Sequence, residues 1–168
     1  NTIENYETET RKGRLLIAGM GGSGISGLIA SALSNQMKDL QIIPWNNYEL
    51  PKWINEKDQI ICISYSGNTA ETLSAAKRAI EIGCKLEFIT TGGKLEELAI
   101  QNNLNVTKIE SGHQPRAALP LLLKPLLYKI GIPNLDEQIE EILQLELEIE
   151  KSKKISNNIN GKIPCIYS

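Results

Sequence analysis

A doubly wound α/β fold, with five parallel strands in one sheet and helices on both faces, is what this sequence predicts. Three observations predict it. Short apolar runs alternate about five times with segments of helical periodicity, joined by short loops. The runs are rich in Ile and Leu, as strands buried on both faces are. Gly and Ser collect just after the carboxyl ends of the runs, where such sheets place their ligands.

The elements follow in order. Residues 1–12 are polar and mostly charged and read as a leader or a fraying helix. Leu15-Leu16-Ile17-Ala18 is a buried strand that stops at Gly19. Ser23 to Met37 reads as a helix, with Ile25, Leu28, Ile29 and Leu33 at helical spacing. Gln41 to Trp45 and Asp58 to Ser64 are the second and third strands. Ala70 to Ile82 is a helix with Leu73, Ala76, Ala79 and Ile80 on one side, and Lys85 to Thr90 is the fourth strand. Lys94 to Gln101 is a short helix, and Leu104 to Ile109 the fifth strand.

Beyond residue 110 the character changes. Gln114 to Ile130 is apolar and helical but holds Pro120 and Pro125, each lacking a backbone donor, so a kinked or broken helix is expected. Leu135 to Ser152 mixes acidic and apolar residues, with Leu135, Ile139, Ile142 and Ile149 on a helical face. Leu145 to Glu150 alternates as a strand would, yet the length of the segment favours a helix. Residues 156–161 form a polar linker, and Lys162 to Tyr167 reads as the start of a strand. The expected organisation is a leader (1–12), one domain with its connecting helix (13–155), and a linker opening a second domain that the chain does not include (156–168).

Composition narrows the function classes. The length of 168 residues suits one domain, and 41% apolar residues can build a core. Apolar stretches such as Ala117 to Leu123 fall short of the ~18 residues a membrane span needs. No basic segment followed by an apolar core opens the chain, so no signal peptide is expected; a start at Asn1 rather than Met suggests a partial chain. Net charge is −2, from 18 basic and 20 acidic residues, which gives no electrostatic case for nucleic acid or an anionic membrane as a partner. Three cysteines at wide spacing and a single His make no metal site. Cys62 lies inside Ile60-Ile61-Cys62-Ile63 and reads as a small core residue, so a reducing, cytoplasmic location is expected.

Two loops carry most of the chemistry. Gly19-Met20-Gly21-Gly22-Ser23-Gly24 follows the first strand and opens the first helix. Glycines let the backbone come close to a ligand, and a helix start presents unpaired N–H groups to an anion. Gly19, Gly21 and Gly24 satisfy the dinucleotide spacing G-x-G-x-x-G. The acidic residue that should grip a ribose after strand two is replaced by Trp45-Asn46-Asn47, and no G-K-[ST] exists. A tight turn with glycines only for packing is the plainer alternative. The second loop, Ser64-Tyr65-Ser66-Gly67-Asn68-Thr69, brings three hydroxyls to a helix start. Ordinary capping by Asn68 or Thr69 would explain one polar group but leaves Ser64 and Ser66 unexplained. In a flavodoxin-like order 2-1-3-4-5, strands one and three meet at the switch point, so both loops face one crevice and one anion site.

A third segment, Glu110-Ser111-Gly112-His113-Gln114-Pro115-Arg116-Ala117-Ala118, follows strand five. Arg116 could stabilise a developing oxyanion, or could merely pair with Glu110. His113 could act as an acid or base, although a lone loop His is more often simply solvent-exposed. Thr90-Thr91-Gly92-Gly93 is a turn that can line the same crevice.

The hydroxyl loop resembles the signature of sugar-isomerase (SIS) domains, which bind phosphosugars. The Gly19–Gly24 loop, Thr91-Gly92-Gly93-Lys94-Leu95 and Gln114-Pro115-Arg116-Ala117-Ala118-Leu119 narrow the resemblance to the bifunctional phosphoglucose/phosphomannose isomerases, from about Arg14 onward. The resemblance implies paired SIS domains, usually in a homodimer, no cofactor and no metal. It implies interconversion of glucose 6-phosphate or mannose 6-phosphate with fructose 6-phosphate through a cis-enediol, in glycolysis and gluconeogenesis. By the same resemblance Ser64, Ser66 and Thr69 hold the phosphate, Gly21, Gly22 and Ser23 line the sugar, and Arg116 stabilises the enediolate. The family's glutamate base and ring-opening histidine find no match here, and Pro120 stands where a glycine is expected. A non-catalytic SIS domain that senses a phosphosugar is the alternative function.

Overall fold

The computed structural model describes residues 13–35, 37, 39–114, 117–132, 134–144, 153–154, 157–158 and 160. The chain divides into two compact units, Asn1–Pro133 and Asn134–Ser168. The first holds β1 (Gly13–Ala18), α1 (Gly21–Ser34), β2 (Leu40–Trp45), β3 (Gln59–Ser64), α2 (Ala70–Ile82), β4 (Lys85–Thr90), α3 (Gly93–Gln101), β5 (Asn105–Lys108) and α4 (Leu119–Ile130). The second unit contributes α5 (Leu135–Gln144). The expected leader at 1–12, the alternating stretch 145–150 and the strand at 162–167 lie outside the described residues.

The five strands form one sheet of order β2-β1-β3-β4-β5, with every pair parallel. This is the doubly wound order, with β1 and β3 adjacent at the switch point. Register is fixed by burial. Leu15, Leu16, Ile17 and Ala18 are essentially solvent-free and pair with Gln59, Ile60, Ile61 and Cys62 of β3. One core joins Leu16, Ile60, Cys62 and Phe88 to Ala75, Ala76 and Ala79 of α2 and to Leu95 and Ala99 of α3. Leu50 and Ile54, in the segment between β2 and β3, complete it.

The helix α1 packs on β2 and on α4. Its helical spacing agrees with the sequence, but the aliphatic stripe is not its buried side. Ser23, Gly24, Ser26, Gly27, Ala30 and Ser34 are buried, whereas Ile25, Leu28 and Leu33 are exposed. The reason is close approach. A Cβ on Gly27 would stand 3.1 Å from Cγ2 of Ile17, so only small side chains fit between helix and sheet.

In α4 the two prolines take different positions. The helix begins at Leu119 rather than Gln114, which puts Pro120 in the first turn, where a missing N–H has no intrahelical partner to lose. Pro125 lies inside, is buried, and does not end the helix. The end comes at Gly131, left-handed at φ 71°, whose N–H returns to the carbonyls of Leu127 and Tyr128. No helix of the described residues is long and apolar enough to cross a membrane.

Candidate functional site

The crevice at the switch point is bounded by the loops after β1, β3, β4 and β5. The loop after β1 is held tight by its own glycines. A Cβ on Gly24 would lie 2.9 Å from the Gly19 carbonyl oxygen, and one on Gly19 would lie 3.0 Å from that of Ile63. Asn46 sits where a ribose-gripping carboxylate is expected; with its amide turned so that the nitrogen faces the two carbonyls, it donates to Gly19 (2.9 Å) and Trp45 (3.2 Å). That residue closes the glycine loop and supplies no acidic group. Gly21 and Gly22 open α1, exposed and half-buried respectively. Ser23 is buried, and its Oγ accepts the N–H of Tyr65 at 3.2 Å, joining the β1 loop to the β3 loop.

The three hydroxyls after β3 divide into a pair and a single. Ser64, at the end of β3, is buried; its Oγ lies 2.9 Å from Oγ1 of Thr69 and accepts the N–H of Gly67 at 3.1 Å. Ser66 is exposed, and its Oγ accepts the N–H of Asn68 at 3.2 Å. Thr69 is the N-cap residue of α2 by backbone position, yet makes no side-chain cap bond. Its hydroxyl is turned to Ser64 instead, so simple capping does not account for it. Two helix starts, of α1 and α2, open on this crevice, and both favour negative charge.

The loop after β4 is locked onto the hydroxyl loop. Gly67 has φ 67°, and a Cβ there would fall 1.7 Å from the Gly92 carbonyl oxygen. Leu95 donates its N–H to the Gly67 carbonyl (2.9 Å), and Lys94 donates its own to Oδ1 of Asn68 (3.2 Å). Thr91 donates Oγ1–H to the Tyr65 carbonyl at 2.6 Å. The loop after β5 arrives through His113, whose N–H donates to the Tyr65 hydroxyl at 2.8 Å. The His113 imidazole lies 3.8 Å from the Glu110 carboxylate, with both side chains exposed. Arg116 and Pro115 lie outside the described residues. On either side of them, Ala117 and Ala118 donate their N–H groups to the Gln114 carbonyl, at 2.9 and 3.1 Å.

Ser64 and Thr69 are therefore brought together by a short contact, Ser23 is tied to the same loop through the Tyr65 N–H, and Ser66 stands on the loop's exposed side. Sequence reasoning passed over Tyr65 and Asn46 as site residues, although each stands inside or beside a quoted loop, and placed Thr91 only in a turn that can line the crevice. The site is equipped to hold an anion. Among the described residues no thiol nucleophile is part of it: burial pushes the Cys62 thiol far above its ordinary range, so it stays protonated. Among the described residues no group of His, Cys, Asp or Glu could hold a metal ion.

No family model matches the chain. Individual relatives do. It is 37% identical over 159 residues to a bifunctional phosphoglucose/phosphomannose isomerase of Thermoplasma acidophilum, a match covering 91% of this chain and 49% of that protein. The namesake in Caldicellulosiruptor bescii is 38% identical over 170 residues, covering 92% and 50%. The chain is a homologue of the N-terminal half of the bifunctional phosphoglucose/phosphomannose isomerases. It spans about half the length of these isomerases. A D-glucosamine-6-phosphate 4-epimerase of Sulfolobus acidocaldarius is 31% identical over 159 residues, covering 89% of this chain and 50% of the epimerase.

Solved structures agree on the fold. The tagatose-6-phosphate ketose/aldose isomerase of Escherichia coli superposes with a TM-score of 0.56 at 20% identity, over 73% of this chain and 38% of that one. A Methanococcus jannaschii protein, described as a 3-hexulose-6-phosphate isomerase by inference from its structure, gives 0.56 at 21%, over 79% and 72%. The five-stranded parallel sheet is thus the SIS fold.

Proposed function

We propose that this chain is the substrate-binding half of a phosphosugar aldose–ketose isomerase, interconverting glucose 6-phosphate or mannose 6-phosphate with fructose 6-phosphate. In that reaction a base takes the proton from C2 of the open-chain aldose and the C1 carbonyl oxygen gains a proton. The resulting cis-enediol receives a proton at C1, and the C2 hydroxyl loses its own to become the ketone. We assign the phosphate to Ser64, Ser66 and Thr69 at the α2 start, the sugar to Gly21, Gly22 and Ser23, and the enediolate oxygen to Arg116. The observation that carries the reading is the Ser64–Thr69 hydroxyl pair, 2.9 Å apart at a helix start that Thr69 does not cap through its side chain. A phosphate can take up both hydroxyls together with first-turn N–H groups.

Calorimetry tests the reading directly. Fructose 6-phosphate is expected to bind and fructose is not, and Ser64→Ala with Thr69→Val should abolish the difference. Equal affinity for both sugars would remove the phosphate assignment. A response to NAD with none to either sugar would favour the dinucleotide reading. The name of the Sulfolobus relative favours one second reading, a phosphosugar 4-epimerase sharing this half, which product analysis on glucosamine 6-phosphate would separate. A regulatory sensor would bind the phosphosugar in a protein whose full length shows neither reaction. We further place the protein in the cytoplasm, in glycolysis and gluconeogenesis, as a homodimer. The free, buried thiols of Cys62 and Cys84 support the compartment, and light scattering in solution decides the dimer.

A further inference from the structure

A second concave surface shares no residue with the four crevice loops. It is a groove of about 560 Å³ between α2 and the segment that joins β2 to β3. Cavities of about 300–1,000 Å³ are of the size that takes small metabolites. Leu50, Ile54 and Ile82 give the groove an apolar lining, and Leu50 and Ile54 are set in the core of the domain.

Its charged lining is only partly paired. Arg78 is neutralised by Glu81 at 2.8 Å. Lys52, Lys77 and Glu49 line the same groove, and none of the three makes an ion pair among the described residues. Two ammonium groups and a carboxylate thus share one groove without neutralising each other, which leaves both signs for a ligand.

Glu49 is held at this place by the fold. Its φ of 55° is left-handed, a conformation that costs energy for a residue with a Cβ. Its carbonyl accepts the Trp45 indole N–H at 2.8 Å, and its own N–H donates to Oγ of Ser74 on α2 at 3.0 Å. Backbone strain fixed from two sides in this way gathers at ligand-holding segments. Glu49 is also the first carboxylate after β2. In dinucleotide-binding sheets the acid near that place accepts hydrogen bonds from a ribose. Here the acid lines the groove beside α2 instead of the switch-point crevice.

We propose that this groove binds a nucleoside monophosphate, with the phosphate on Lys52 and Lys77, the ribose hydroxyls donating to the Glu49 carboxylate, and the base against Leu50, Ile54 and Ile82. Inorganic phosphate would use the lysines alone, and a nucleoside would leave them unpaired. A nucleoside monophosphate engages all three kinds of lining at once. The inference does not rest on the isomerase reading, and it gives the groove no part in the crevice chemistry.

NMR titration of the chain with adenosine 5′-monophosphate at low ionic strength tests it. Amides of Ile54, Ser74 and Lys77 should shift, and an excess of fructose 6-phosphate should leave those shifts in place. Affinity for the monophosphate should exceed that for inorganic phosphate and for adenosine by at least about tenfold, and that for the 2′-deoxy monophosphate by about fivefold. Lys52→Ala with Lys77→Ala should weaken the monophosphate about tenfold and leave adenosine within about twofold. Glu49→Gln should weaken the ribose form about fivefold and the 2′-deoxy form by less than about twofold. Equal affinity for the monophosphate and either inorganic phosphate or adenosine would overturn the proposal. So would shifts confined to Gly67 and Thr69, shifts abolished by fructose 6-phosphate, or indifference to the 2′-hydroxyl. All of these are read in the unaltered chain, so they decide the proposal even if a variant does not fold. Failure of fructose 6-phosphate to bind would count against the isomerase reading and leave the groove result standing.

Discussion

At the scale of single residues, Gly67 shows how little freedom the crevice has. Its φ of 67° disfavours any side chain, and a Cβ would collide with the Gly92 carbonyl oxygen at 1.7 Å. Gly67→Ala should therefore destabilise the fold by about 3 kcal/mol or more in urea titration. Gly83, at the end of α2, has a similar φ of 83° but open space around it, so Gly83→Asn should cost less than about 1 kcal/mol. Similar losses at both sites would show that backbone conformation, and not the approach of two loops, sets the penalty. The buried thiols give a pH dependence. Burial raises the Cys62 thiol, and burial followed by the negative charge of Asp58 raises that of Cys84. Both titrate higher in the fold than unfolded, so their stabilising contribution is complete below the ordinary value of 9.0 and is lost as pH climbs above it. In a Cys165→Ser background a disulfide reagent at pH 7.5 should label neither thiol natively and both after unfolding. Rapid native labelling of Cys84 would contradict its burial.

At the scale of elements, α1 is the helix where sequence and structure part. Its buried side is built of Ser, Gly and Ala, so Ala30→Leu should cost about 1–3 kcal/mol by overpacking against the sheet. Leu28→Gln, on the exposed side, should stay within about 0.5 kcal/mol in thermal melts. The reverse order of these effects would restore the aliphatic stripe as the buried one. Periodicity finds a helix because it counts spacing, but it cannot say which stripe faces inward when the sheet comes close enough to exclude large side chains. Strands were easier to read. The strand Lys85–Thr90 appears with its expected boundaries, as does the helix Ala70–Ile82 before it, which the Gly83 break ends. The start of α4 was not legible, because Gln114 accepts turn bonds from Ala117 and Ala118 that apolar patterning does not register.

At the scale of the whole molecule, the switch point made the candidate site legible. The sheet order places the two loops richest in Gly and Ser side by side, and the chemistry of those loops was visible in their letters. What the letters hid were the long-range links: the Tyr65 contacts depend on strand register, and Asn46 reaches the glycine loop only because β2 lies beside β1. The same assembly bears on what this 168-residue chain can do alone. It should fold, since all five strands and the helices on the sheet are present with a continuous core. It should bind phosphosugar and yet not isomerise it. Transfer between C2 and C1 needs a base within about 3 Å of the proton's path, and ring opening needs an acid–base group as well. Besides Arg116, which stays protonated, the four crevice loops offer Tyr65, Lys94, Glu110 and His113 as titratable groups. The Tyr65 hydroxyl oxygen already accepts the His113 N–H, and a phosphate clamp of hydroxyls takes no proton. Glu110 and His113 are the pair that could substitute, at 3.8 Å from each other, but both are exposed to water rather than held against a buried ligand. Deuterium exchange at C2 of glucose 6-phosphate, followed by NMR in heavy water, should thus stay at the buffer rate. Exchange above that rate, abolished by His113→Ala, would put the base inside this crevice and make the domain catalytically complete.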